Sequence, residues 1–198
     1  MTVKEKFDHL VSLLSNPKFL NCEILLNDIP LFIADYDVTE ENDVLKMSEN
    51  LIKQLKSKGI SVLNINLYDL IIELLQSNQS DWNWVIDEKR NKEELFEELK
   101  AILNVQERIV PAIYQKMEEN KGNYNLVFIN GCGNIFPSLR THTILNNLHI
   151  HINQTPIIVF FPGVGISKGS PYSTFNLFGR LNEGNDYRAA NIFQIRGA

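Results

Sequence analysis

Two aspartates two residues apart, Asp35 and Asp37, stand at the end of the apolar run Pro30-Leu31-Phe32-Ile33-Ala34. In an extended strand, residues i and i+2 point to one face, and two carboxylates there can hold a hard cation such as magnesium. The same acids, followed by Thr39-Glu40-Glu41-Asn42-Asp43, equally suit a polar turn into a helix, with Thr39 as N-cap and acids in the first helical turn. A second group runs from Asn130-Gly131-Cys132-Gly133-Asn134 to Ser138-Leu139-Arg140-Thr141-His142. Arg140 near a helix start suits an anion or a partner, or pairs with a neighbouring carboxylate. His142 has the chemistry of a general base, but no nucleophile is placed beside it, which favours a structural or interface role. Cys132 between two glycines is either a thiol nucleophile or a small residue in a tight turn; with no partnered base in sight, the turn is favoured. Tyr187 and Arg188 follow Asp186 near the C-terminus, where an arginine clamps an anion, meets a partner or fixes a loop. His149 and His151 lack the further ligands that a metal needs.

These residues sit where strands hand over to helices. The runs 30–37, 60–67, 124–129, 155–161 and 191–195 read as strands, with helical patterns at 3–15, 39–58, 68–75, 92–117 and 137–148. The long stretch 92–117 carries Pro111 as its expected break. Residues 168–184 read as a loop. Apolar strands alternating with helices predict an α/β fold, an open and mainly parallel sheet flanked by helices, in one domain over 1–198 with a helical insert around 76–120. Ligands of such sheets bind at the carboxyl ends of the strands. Asp35, Asp37, Arg140 and His142 are therefore expected on one edge, with a structural ion pair if Asp35 and Arg140 meet. Tyr187 and Arg188 join that edge only if their strand runs antiparallel or the 168–184 loop folds over the top.

The order of elements resembles the core of a P-loop ATPase, but the first strand ends in Asp35-Tyr36-Asp37 with no glycine or lysine, and no G-x-x-x-x-G-K-[ST] occurs. The residues that would hold phosphate and magnesium are missing. No cofactor, metal or complete catalytic set is expected.

Composition bounds the rest. The 198 residues are 44% hydrophobic with a net charge of −5. The charge balance disfavours direct nucleic-acid binding, although Arg140, Lys168, Arg180 and Arg188 leave a basic face as an alternative. The longest purely apolar run, residues 157–161, is too short to span a membrane. With no apolar signal core at the start, the expected location is the cytoplasm.

The strand 31–37, the run Phe128-Ile129-Asn130-Gly131-Cys132-Gly133-Asn134-Ile135-Phe136-Pro137 through Arg140-Thr141-His142 to Asn146-Asn147, the strand ending Phe160-Phe161-Pro162-Gly163, and Phe175-Asn176-Leu177-Phe178-Gly179 before Tyr187-Arg188 together resemble the BrxB family of the BREX bacteriophage-exclusion operons. The stretch 164–173 is longer than the family's turn, and Asp186 stands where a second tyrosine is expected. The resemblance implies a non-enzymatic adaptor or scaffold of a defence complex. Its implied partners are a PglZ-like phosphatase-family protein and other operon products, including an ATPase and a DNA methyltransferase. It supplies no catalytic residues. The alternatives are a magnesium-dependent nucleotide or phosphate-ester hydrolase using Asp35, Asp37 and Arg140, and a nucleic-acid-binding regulatory subunit.

Overall fold

The computed structural model describes residues 1–24, 29–86, 91–148, 152, 154–166, 174–178, 181–182 and 188–195. Strands β1 (Leu31–Tyr36), β2 (Val62–Asn66), β3 (Leu126–Asn130), β4 (Ile157–Ile166) and β7 (Ala190–Asn191) form a sheet in the order β2-β3-β4-β1-β7. All four of these pairings are parallel. The expected α/β architecture is therefore present.

The sheet is apolar on both faces because both are covered. Successive side chains of a strand alternate between faces. Leu31 and Ile33, Val127 and Ile129, and Ile157 and Val159 enter one core, with Leu70 and Ile71 of α4 (Leu67–Gln76), Ile113 of α7 (Val110–Glu119) and Ile144 of α8 (Thr141–Leu148). Phe32, Phe128, Ile158 and Phe160 enter the other, with Leu10 of α1 (Val3–Leu14), Phe19 of α2 (Pro17–Leu20) and Leu51 of α3 (Glu41–Ser57). The rings of Phe128 and Phe160 meet edge to face at 5.1 Å. Burying each such side chain contributes roughly 1.5–3 kcal/mol.

Local signals set the ends of α3 and α4. Gly59, at φ +79°, closes α3 with Ile60 N–H donating to Leu55 O and Gly59 N–H to Lys56 O. A left-handed residue one past the cap is what this termination requires. Asn66 caps α4 by accepting from Tyr68 N–H at 2.9 Å.

Several boundaries differ from expectation. The N-cap before α3 is not Thr39. Asp37 caps a 3-10 turn, Val38–Glu40, that leads into the helix. The stretch 92–117 breaks at Asn104, not Pro111. Asn104 Oδ1 accepts from Gln106 and Glu107 N–H and so starts a new element after α6 (Lys92–Ile102). A π turn, Val105–Ile109, follows, and Pro111 sits in the first turn of α7, where its missing N–H costs least. The helix expected over 137–148 starts at Thr141, after turns that include the cis peptide Phe136–Pro137.

β4 does not stop at Phe161. It continues through Pro162-Gly163 and pairs antiparallel with β5 (Thr174–Leu177), which pairs with β6 (Leu181–Asn182). Glycine is required on that face of β4. A Cβ on Gly163 would lie 2.3 Å from Asn176 O, and one on Gly165 would lie 2.8 Å from Asn191 Nδ2. The described parts of the expected 168–184 loop thus belong to a small second sheet.

The last strand is also shorter than 191–195. After Ala190–Asn191 the chain turns into a 3-10 segment, Ile192–Gln194, capped by Asn191.

Candidate functional site

The carboxyl edge of the sheet gathers the ends of β1 and β3, the extension of β4 and the start of α8. Asp35, next to last in β1, is half-buried. Its Oδ2 accepts from Gly165 N–H at 3.0 Å, and its Oδ1 from Asn191 Nδ2 at 3.0 Å. One carboxylate therefore joins β1, the β4 extension and β7. Lys6 of α1 adds a fourth element, donating from Nζ to the backbone oxygen of Asp35 at 2.8 Å. That ammonium also lies 5.3 Å from the centroid of the Phe193 ring.

Asp37 is exposed and local. Its Oδ1 accepts from the Thr39 hydroxyl at 2.6 Å and from Thr39 N–H at 2.9 Å. These bonds, the hydroxyl first, hold its carboxyl below the usual aspartate range. The two acids are used differently, one as a cross-strand tie and the other as a cap. Among the described residues, no three His, Cys, Asp or Glu side chains cluster as a metal would need.

Asn130 ends β3 and is buried. Its Nδ2 donates to Asn64 Oδ1 at 2.8 Å, while its own Oδ1 has no hydrogen-bond partner in the structure described. Gly131 follows at φ +77°, and a Cβ there would lie 2.5 Å from Asn66 Oδ1, the atom that caps α4. The ends of β2 and β3 thus share a set of asparagines. Cys132 is buried, and burial pushes its thiol up to about 12. A thiol protonated at neutral pH is not an activated nucleophile, so Cys132 is the small turn residue.

Arg140 is exposed and supplies the backbone cap of α8, its oxygen accepting from Thr143 N–H at 3.0 Å. The ion pairs among the described residues do not include Asp35 with Arg140. The Asp35 carboxylate meets Gly165 and Asn191, and β4 lies between β1 and β3. His142, half-buried, has its Nε2 3.2 Å from the Thr143 hydroxyl.

Arg188 lies elsewhere. β7 runs parallel to β1, with Ala190 opposite Phe32, so Arg188 precedes its strand at the amino edge. Its N–H donates to Asn146 Oδ1 at 3.2 Å. Tyr187, Lys168, Arg180, His149 and His151 lie outside the described residues. Asn64, Asn66, Gly165 and Asn191 were not among the residues expected from sequence. The signals were alternation at strand ends, Asn64-Ile65-Asn66 and Gly163-Val164-Gly165.

This arrangement defines a class: an α/β protein with an open, mostly parallel sheet, at whose carboxyl edge Asp35 ties strands and Asp37 caps a turn. The chain belongs to the BrxB family, since the family model described as "BREX protein BrxB" matches residues 63–192. Family membership gives it a role in BREX phage defence. It is 27% identical over 197 residues to a BREX protein BrxB of Bacillus cereus (strain H3081.97), covering 96% of this chain and 97% of that protein. It is also 27% identical over 195 residues to a BREX protein BrxB of Escherichia coli O9:H4 (strain HS), covering 97% of this chain and 92% of that one. No solved structure matches it.

Proposed function

We propose that the protein is a non-enzymatic adaptor of a BREX complex and that it binds the PglZ-like component. The observation that carries this reading is the use of Asp35. At the edge where open α/β sheets hold their ligands, both carboxylate oxygens of this acid hydrogen-bond within the protein, to Gly165 N–H and Asn191 Nδ2. A carboxylate so placed ties β1, the β4 extension and β7 together, which supports a structural use of this edge. Asp37 caps its own turn, and Cys132 is protonated and buried. What remains is a covered parallel sheet whose carboxyl edge presents exposed residues, Arg140 among them.

The test is co-purification of the tagged full chain with each other product of its operon, one at a time. The adaptor reading expects stable co-elution with the PglZ-like protein. Elution of the chain alone from every pairing refutes it.

A further inference from the structure

We propose that the groove between α4, α5 (Gln79–Val85), α6 and the turn at 134–138 docks a basic amphipathic helix of a partner protein. The groove holds about 240 Å³ and is walled by Tyr68, Ile72, Val85, Phe96, Leu99 and Phe136. That is below the ~300–1,000 Å³ typical of small-molecule pockets, and suits a few anchoring side chains instead.

Its walls are helical stripes. Tyr68, Ile72 and Leu75 lie at spacings of four and three on α4. Phe96, Leu99 and Leu103 run along and just past α6. Residues three and four apart share a helix face. Two such stripes with a trough between them are the receptor side of helix-in-groove recognition, in which the guest supplies its own i, i+3, i+4 anchors. Tyr68, on the groove wall, is 46% exposed. A large side chain left open beside an apolar trough marks an interaction surface more strongly than a scattered one does.

Charge chooses the occupant. From 67 to 109 the sequence has ten Asp or Glu and five Lys or Arg, while the rest of the chain has fourteen of each. The whole net charge of −5 therefore resides in the segment that builds most of the groove. Two of its cations are already engaged, Arg108 with Asp81 at 2.7 Å and Lys100 with Glu97 at 2.6 Å. Asp69 of α4, which lines a neighbouring hollow with Glu73 and Lys116, and Glu93, Glu94 and Glu98 of α6 are exposed on the two helices that wall the groove. The field of so acidic a segment attracts Lys and Arg flanking an apolar stripe and repels phosphate backbones. It also disfavours a second copy of this chain, which would bring the same net −5. The adaptor reading enters only in supplying a source for the helix, another component of the complex.

The test uses the full chain and two fluorescent amphipathic peptides of equal length, one of leucine and lysine and one of leucine and glutamate, read by anisotropy. The proteins are the wild type, the double variant Tyr68→Ser/Ile72→Ser, which removes two apolar walls without adding charge, and Leu45→Ser on α3 as a control. Both groove positions are partly exposed, and thermal melts confirm that each variant folds. The lysine peptide should bind at least about tenfold tighter than the glutamate peptide. That preference should weaken with added salt, and binding of the lysine peptide should be lost in the double variant but kept in Leu45→Ser. Equal binding of both peptides, or binding untouched by the double variant, overturns the proposal. So does a wild-type dimer that becomes monomeric in the double variant, because the groove would then hold a second copy. Co-purification separates the two readings. If an operon product co-elutes equally with wild type and double variant, the adaptor stands and the groove is not its docking face. If nothing co-elutes with wild type while the peptides discriminate, the groove stands and the adaptor falls.

Discussion

Replacing Asp35 by alanine should loosen the junction of β1, the β4 extension and β7. The carboxylate is the acceptor for Gly165 N–H and for Asn191 Nδ2, each at 3.0 Å. Asn191 is only 6% exposed, so its amide loses a partner that water replaces poorly. Hydrogen bonds to a charged group contribute about 1.5–3 kcal/mol each, and half-burial of the carboxylate argues for the low end. The expected loss is thus about 2–4 kcal/mol, which lowers the melting temperature of a chain this size by roughly 5–12 °C. Asp35→Asn should recover only part of it. An asparagine offers one acceptor and puts an NH₂ against a donor. Asn191 cannot simply flip to answer it, because its Oδ1 already accepts from Phe193 N–H at 2.9 Å. Asp37→Ala, which removes an exposed local cap, should cost less than either. The assay is differential scanning calorimetry at neutral pH without divalent cations. If Asp35 and Asp37 instead formed a vacant magnesium site, two like charges would repel, and removing either would raise the melting temperature. An unchanged or higher midpoint for Asp35→Ala refutes the structural role, and with it the main support for a non-enzymatic edge.

Gly131→Ala should cost about 2 kcal/mol, from a left-handed alanine and a disturbed cap on α4. Gly122→Ala, also at positive φ but with no atom within 4 Å of the added Cβ, should cost about half as much; urea titrations compare the two. The Cys132 thiol is raised to about 12 in the folded chain. Its stabilising share is therefore complete below the unfolded value near 8.5 and is lost as pH climbs from there toward 12. At pH 10 the wild type should have lost about 2 kcal/mol more than Cys132→Ala, relative to pH 7, in chemical denaturation. A native Cys132 should also resist thiol reagents until the protein unfolds. Arg140→Ala should fold with a near-wild-type melting temperature and lose partner binding or phage resistance in plaque assays. Full resistance would remove Arg140 from the functional surface.

Local rules made much of the architecture readable. Runs such as Leu126-Val127-Phe128-Ile129 are strands because each face of a covered sheet demands an apolar side chain. The helix after Asp37 ends at Gly59 because glycine alone accepts φ +79° there without penalty. The polar rim at β1 and β3 followed from where parallel strands end. The partner of Asp35 did not follow, because Gly165 and Asn191 lie 130 and 156 residues away, and no local spacing encodes contacts at that range. Pro162-Gly163 looked like a strand stop. The tertiary fold made it a passage into a second sheet, since the glycines admit Asn176 and Asn191 where a side chain would clash. Composition along the chain already held the acidic surplus of 67–109. Only packing turned α4, α5 and α6 of that segment into one groove, because a surface is made by elements meeting, not by their order.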